Sequence, residues 1–291
     1  MTSNRFDIVI VGAGFAGMYM LHRARKLGLS ALVLEAGPGV GGTWYWNCYP
    51  GARCDIESMQ YSYQFDDDLA QEWDWSEKYA PQPEILKYAE HVADRHDLRK
   101  DIQFNTRIAS ARYDKASAQW TLTAEDGGQT IGRFYVMATG CLSIPNQPEI
   151  AGMDEFAGPT YQTGRWPHDG VDFSGQRVAV IGTGSSAIQC IPLIAEQAGE
   201  LTVFQRTPNY AIPAHNRAMV PAYADAIKAR YKAFREEASK TGPSIHAVFN
   251  PDSVLDASDE ERDRRYWERW NQGGLIFMGA FGDHMLTQEG N

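Results

Sequence analysis

Apolar residues follow two rhythms along this chain. Residues 5–11 form a short apolar run of the length expected for a buried parallel strand. From Ala16 to Leu27 the period lengthens. Met20, Leu21, Ala24 and Leu27 share one face, while His22, Arg23, Arg25 and Lys26 take the other, which predicts a helix ended by Gly28. Ser30–Glu35 predicts a second strand. Residues 37–51 are rich in glycine and aromatics and read as a loop, and Asp66, Asp67 and Asp68 read as a solvated turn. A helix is expected from Pro83 to about His96, with proline in the first turn where it is tolerated. A short strand over Asp101–Asn105 should follow. Alternation over Arg107–Tyr113, Gln119–Ala124 and Thr130–Phe134 then predicts an antiparallel meander. Phe134–Gly140 predicts a buried closing strand.

The second half repeats the opening rhythm. After a proline-bearing crossover at residues 143–148, a strand from Arg177, a helix and a strand over Leu201–Gln205 recur; Pro192 lies inside the helix and should bend it. Two polar helices are expected over Pro221–Ser239 and Ser258–Asn271, the second opened by a capping box of Ser258 and Glu261. No buried strand is expected after Gln205, so the second unit reads as unfinished and the chain as the N-terminal part of a longer enzyme.

Composition narrows the class. The formal net charge is −10 without a basic run, which disfavours nucleic acid and acidic membrane surfaces as partners. Four cysteines are too few to staple a chain of 291 residues, which points to the reducing cytoplasm. No apolar stretch is long enough to cross a bilayer.

The chemistry lies where strand meets helix. Gly12-Ala-Gly14-Phe15-Ala16-Gly17 and Gly182-Thr183-Gly184-Ser185-Ser186-Ala187 each follow an apolar strand and open a helix. In such a turn the first glycine permits the tight bend, the second lets a pyrophosphate approach the backbone, and the third lets helix and strand pack; the helix amides then face the pyrophosphate. Glu35, 23 residues after Gly12, is placed to accept both ribose hydroxyls of an adenosine, and the same count from Gly182 reaches Gln205, followed by Arg206 and Thr207. The carboxylate that would repel a 2′-phosphate is absent there and a cation has appeared, which favours NADP over NAD. Arg206 could instead make an ordinary surface ion pair. Two such turns predict two dinucleotides, in the arrangement that passes electrons from a nicotinamide to a flavin.

Several segments carry a family resemblance. Gly41-Gly-Thr43-Trp44, Trp46, Tyr49-Pro-Gly-Ala-Arg53-Cys54-Asp55, Ala138-Thr-Gly140, Gly182-Thr-Gly-Ser-Ser186 and Gln205-Arg-Thr-Pro208 resemble the type I Baeyer–Villiger monooxygenases over nearly the whole chain. The family motif Phe-x-Gly-x-x-x-His-x-x-x-Trp-Pro is matched by Phe156, Gly158, Trp166 and Pro167, with Gln162 in place of the histidine. Glutamine keeps donor and acceptor contacts but cannot become a cation; His168 is six residues out of register. The resemblance implies an α/β protein with two Rossmann-like domains, for FAD and NADP(H), a β-meander and a helical insertion. It implies segments of 1–145 for FAD, 146–218 for NADP and 219–291 for the helical part. It further implies NADPH- and O2-dependent insertion of oxygen beside a ketone carbonyl, through a flavin C4a-peroxide, giving an ester or lactone. In the family an arginine stabilises the peroxide and a carboxylate holds that arginine. Asp55 matches the carboxylate, while the arginine belongs to a later segment. Trp44, Trp46 and Tyr61 could wall the flavin ring, although aromatics there could equally be core. Thr43 could reach the flavin, Ile108 matches a backbone contact to adenine, and Arg53, Cys54 and Gln189 join the cofactor set.

Two other readings stay open. One is a flavin disulfide reductase, disfavoured because five residues separate Cys48 from Cys54 where such enzymes place four, and Trp44 follows Gly-Gly-Thr where their first cysteine usually stands. The other is an inactive cofactor-binding fragment.

Overall fold

The structure, a computed structural model, describes residues 4–246 and 249–284. It contains two compact units, each built from two stretches of chain: Met1–Pro50 with Gln82–Asp172, and Gly51–Pro81 with Phe173–Asn291. These units are discontinuous in sequence, unlike the continuous segments 1–145, 146–218 and 219–291 expected from the sequence. Residues 285–291 of the last segment lie outside the described residues.

The first unit is a six-stranded sheet in the order β3-β2-β1-β6-β5-β4. Its strands are β1 (Arg5–Val11), β2 (Ala31–Leu34), β3 (Ile102–Gln103), β4 (Ile108–Asp114), β5 (Gln119–Ala124) and β6 (Gln129–Met137). β3, β2, β1 and β6 run parallel, and β4, β5 and β6 form the antiparallel meander. Ile8, Val9 and Ile10 of β1 and Val33 and Leu34 of β2 are buried, as an apolar run in a covered parallel sheet should be. Helix α1 (Phe15–Lys26) buries Gly17, Met18, Leu21 and Ala24, so its inner face is rotated from the predicted one and Leu27 is left exposed. Gly28, with φ +71°, ends the helix, and the Leu29 amide closes back onto Ala24 O.

Four expectations in this half of the sequence change. The loop at 37–51 contains a one-turn helix α2 (Thr43–Trp46). Asp66 is not in a free turn. Its side chain accepts from the Leu69 amide at 3.0 Å and caps a short helix α3 (Asp67–Glu72) of the second unit. The third meander strand and the closing strand are one element, β6, which pairs with β5 at its start and lies beside β1 along most of its length. Its end is not buried: Phe134 is 48% exposed and Met137 is 71% exposed. The helix opened by Pro83 is α4 (Gln82–Arg95), which buries Ile85, Tyr88, Ala89, Val92 and Ala93.

The second unit repeats strand, helix, strand as β7 (Arg177–Ile181), α5 (Ser185–Ala195) and β8 (Glu200–Phe204). The two strands pair in parallel, and among the described residues no further strand follows. Pro192 lies inside α5, which buries Cys190 and Ile194. The expected helix over Pro221–Ser239 is two helices, α6 (Pro221–Lys228) and α7 (Tyr231–Ser239), because Arg230 leaves the helical region at φ −131°, ψ 24°. Residues 51–81 are tied into this unit by backbone bonds, Lys78 N to Arg217 O at 2.9 Å and Met219 N to Ser76 O at 2.8 Å. Helix α8 (Asp259–Gln272) is capped by Ser258, whose hydroxyl accepts from Glu261 N at 3.2 Å. The Glu261 carboxylate pairs with Arg265 at 2.7 Å and with Arg264 at 3.3 Å, so its side chain serves ion pairs along the helix. Among the described residues no helix is long and apolar enough to cross a membrane.

Gly17 and Gly184 give opposite expectations. A methyl on Gly17 would stand inside van der Waals distance of Gly12 O, a backbone atom with nowhere to go, whereas one on Gly184 meets nothing within 4 Å and φ there is −72°. Gly17→Ala is expected to cost about 3 kcal/mol or more, and Gly184→Ala less than about 0.5 kcal/mol, as measured by urea denaturation.

Candidate functional site

The two glycine turns have nearly the same geometry. Gly12 has φ +104° and Gly182 φ +102°. The Gly12 amide donates to Leu34 O at 2.9 Å and that of Gly182 to Phe204 O at 2.8 Å, so each turn is latched to the strand beside it. Gly14 and Gly184 lie at φ −75°, ψ −173° and φ −72°, ψ −178°, and each precedes a helix without a side-chain cap. First-turn amides lack partners inside their helix and carry the positive end of its dipole. Together they make an anion cradle at the mouth of each turn. Among the described residues, apart from the chain neighbours, no atom lies within 4 Å of a methyl placed on Gly182 or Gly184, which leaves the second cradle open above its backbone. The first is walled: a methyl on Gly12 would stand 2.5 Å from Ala138 O and one on Gly14 3.4 Å from Gly42 Cα. Phe15 and Ala16 open α1, Phe15 with its ring 6.2 Å from that of Tyr88; Ser185, Ser186 and Ala187 open α5.

The turns differ in polarity at one matched position. Glu35 is 5% exposed, and its carboxylate accepts from Ala13 N at 2.6 Å and Gly37 N at 2.8 Å. These amides compensate a buried carboxylate, and each oxygen keeps lone pairs for a further donor such as a ribose hydroxyl. Gln205 makes the matching contact with the roles reversed, its Nε2 donating to Thr183 Oγ1 at 2.8 Å. Arg206 and Thr207 are exposed, and among the described residues Arg206 makes no ion pair. The ordinary surface pair considered for it is not formed there.

Residues 37–46 fold over the first turn, with Gly41 N donating to Ala13 O at 3.0 Å. This sets Thr43, exposed, and Trp44, 7% exposed, beside the glycines. Trp44 belongs to the core, with its carbonyl accepting from Gln82 Nε2. Trp46 covers Gly37, where a methyl would stand 2.8 Å from the indole ring, and meets Tyr45 edge-on at 5.0 Å. Thr106 N donates to Glu35 O at 2.8 Å and Asn105 N to Gly37 O at 3.0 Å, which brings the start of β4 and half-buried Ile108 to the Glu35 side.

In the second unit, Gly51 (φ +77°) packs its bare Cα against Gln189 O of α5, and Gln189 Nε2 donates to Arg53 O at 3.1 Å. Arg53 is anchored by Glu77 and by Tyr79 O, both at 2.6 Å. Burial pushes the Cys54 thiol up to about 11. Asp55 is exposed, yet the surrounding protein desolvates its carboxyl and raises its pKa, and among the described residues its side chain has no hydrogen-bond or ion-pair partner. Tyr61 is half-buried and its amide donates to Glu57 O and Ser58 O, both at 3.1 Å.

The sequence reading did not single out Asn209, whose Nδ2 donates to Thr183 Oγ1 at 3.2 Å, nor Gly37, whose amide holds Glu35. The Glu-x-Gly spacing carried a signal for Gly37; nothing local marked Asn209. Gln162, at the motif histidine position, donates from Nε2 to Asn146 O at 2.6 Å, a contact that needs no charge. His168 instead lies against Tyr45, with ring centroids 4.7 Å apart and Nδ1 3.7 Å from Cys48 Sγ. All four cysteines are free thiols.

A family model described as pyridine nucleotide-disulphide oxidoreductase matches residues 9–260. The chain is 41% identical over 99% of its length to 54% of a 2-oxo-Delta(3)-4,5,5-trimethylcyclopentenylacetyl-CoA monooxygenase from Pseudomonas putida. It is 42% identical over 98% of its length to 53% of the phenazine N-monooxygenase PhzNO1 of Lysobacter antibioticus. Among solved structures, an oxidized steroid monooxygenase bound to NADP shares 52% identity with a TM-score of 0.93, covering 99% of this chain and 55% of that one. A cyclohexanone monooxygenase from Rhodococcus sp. Phi1 bound to NADP+ shares 40% identity with a TM-score of 0.95, covering 99% and 54%. The fold thus matches that of Baeyer–Villiger monooxygenases, and the chain spans about half the length of the curated relatives it matches.

Cys54 gives an alkaline signature. Its folded-state pKa of about 11 exceeds the ordinary 9.0, so between those values the unfolded thiol ionises while the folded one keeps its proton. Stability is therefore full below about pH 9 and falls as pH rises toward 11. Denaturation midpoints at pH 8, 9.5 and 11 are expected to fall less steeply in Cys54→Ala.

Proposed function

Because the chain belongs to the pyridine nucleotide-disulphide oxidoreductase family, we propose that it is the FAD- and NADP(H)-binding portion of a flavin monooxygenase of the Baeyer–Villiger type. One observation carries this reading: two turns matched in φ and in hydrogen bonding hold opposite polarity at the equivalent position, Glu35 in one and Gln205 in the other. A carboxylate there suits a ribose with free hydroxyls, and an amide followed by a guanidinium suits a ribose bearing a 2′-phosphate. The first turn is accordingly assigned to FAD, within residues 1–145, and the second to NADP(H), within 146–218, with 219–291 as the helical segment.

When bound, NADPH would be the source of reducing equivalents and FAD would supply the redox chemistry that activates O2. The chain's own residues bind and orient. The helix amides behind Gly14 and Gly184 face the pyrophosphates. Glu35 accepts from ribose hydroxyls, while the start of β4 at Ile108 offers backbone to an adenine. Thr43 and Trp46, beside the first turn, are assigned to the flavin, as is Tyr61 in this reading. Arg53 and Cys54 act as framework that holds the Asp55 loop, and Gln189 ties that loop to α5. Asp55 is assigned as a positioning residue for a guanidinium. A desolvated carboxylate with no cation among the described residues gains from such a partner. The substrates of the whole protein are then a ketone and O2, and the free thiols fit the cytoplasm.

A second reading is N-oxygenation, supported by the 42% identity to a phenazine N-monooxygenase. The disulfide reductase reading loses support from the thiols. Cys54 is buried and held neutral, and Cys48 is raised by burial and donates to Trp166 O at 3.6 Å. The test is direct. The protein is mixed with NADPH under air, and absorbance at 340 nm is followed with a cyclic ketone, an aromatic N-heterocycle or no substrate. Ketone-stimulated oxidation with a lactone product supports the main reading, and N-oxide formation alone supports the second. Bound yellow cofactor without turnover marks a cofactor-binding fragment.

Arg206→Ala is expected to weaken NADPH use by roughly tenfold to a hundredfold, the range of a charge-assisted hydrogen bond, while NADH use changes little. Equal losses for both nicotinamides would remove the basis for assigning NADP to the second turn.

A further inference from the structure

Thr183 is the residue between the first two glycines of the second turn, and its hydroxyl oxygen is fully used as an acceptor. Gln205 Nε2 donates to it at 2.8 Å and Asn209 Nδ2 at 3.2 Å. A hydroxyl has two lone pairs and one proton. With both lone pairs engaged, the O–H bond must point away from the two amides. Among the described residues this proton has no acceptor. Thr183 is half-buried, and among the described residues nothing beyond the chain neighbours comes within 4 Å of a methyl placed on Gly182 or Gly184 on either side of it. The first turn has no counterpart, since Ala13 lacks a hydroxyl and uses its amide to hold Glu35.

We propose that Gln205 and Asn209 are positioning residues that fix the Thr183 hydroxyl as a donor aimed into the second cradle, for a phosphate oxygen of the dinucleotide held there. The inference rests on the reading of that turn as the NADP(H) site and adds the residues that orient it. An unrestrained threonine would rotate among its rotamers and offer its proton to a neighbouring carbonyl part of the time. Here two amides block that alternative before the ligand arrives. A donor oriented in advance loses little on binding, and an anionic acceptor makes the bond stronger than one between neutral groups. Asn209 lies four residues after Gln205, so the segment following β8 supplies both halves of the clamp, flanking Arg206 and Thr207.

The test is the Kd for NADP+, measured by calorimetry on the chain itself, for Thr183→Val, Gln205→Ala, Asn209→Ala and their pairwise combinations with Thr183→Val. Thr183→Val is expected to weaken binding roughly tenfold or more, and each alanine about three- to tenfold. In the Thr183→Val background the alanines should add almost nothing, because the group they orient is gone. Thr183→Ser keeps the hydroxyl and should retain most of the affinity. Losses that simply multiply, or alanine variants that bind as well as the parent, overturn the clamp and leave the NADP assignment standing. No NADP+ binding by the unsubstituted chain overturns the assignment and the clamp together.

Discussion

A backbone that must turn from a strand into a helix within three residues has no room for side chains on its inner side. That steric constraint organises the first unit. Gly12 passes against Ala138 O, Gly17 against Gly12 O, and Gly42 against Gly14. Three segments far apart in sequence, at residues 12–17, 41–42 and 138–140, are thereby drawn to one place, and the apolar core of β1, β2, α1 and α4 holds them there. The exposed amides of α1 at that place are a by-product of the packing. A helix whose start is pressed this close to a strand end has no space for a capping side chain, which leaves its first-turn amides available to an external anion.

The second unit uses the same bend under weaker steric demand. Ala187 carries a methyl where Gly17 tolerates none, and among the described residues nothing beyond the chain neighbours crowds Gly182 or Gly184. What the two turns share is the latch of the first glycine to the adjacent strand; what separates them is the polarity beside it. Glu35 accepts from backbone amides, whereas Gln205 donates to a hydroxyl. One substitution of oxygen by nitrogen at a matched position thus reverses the polarity beside the turn, while the backbone stays the same.

Much of this was legible in the residues. Periodicity located β1, α1, α4, the meander and the strand–helix–strand repeat, because apolar runs and caps are local signals. Glycine spacing found both turns, since few other residues reach φ near +100°. The misses have physical causes. β6 looked like two strands because its cross-sheet partners change direction along its length, from antiparallel β5 to parallel β1, and pairing is not local. The one-turn helix over Thr43–Trp46 is too short to show a period. Asp66 carried a capping signal that the acidic run obscured. Arg230 interrupts a pattern that remains amphipathic on both sides of the break. Asn209 was invisible because its contact reaches back 26 residues to Thr183.

The seat of Gly51 against the carbonyl of Gln189 has a mechanical consequence. With no side chain as cushion and a side-chain bond from Gln189 to Arg53 alongside, the loop bearing Asp55 cannot slide over α5. A shift of α5 would therefore carry the loop with it, so the helix, and not only the loop's own residues, sets where that carboxylate stands.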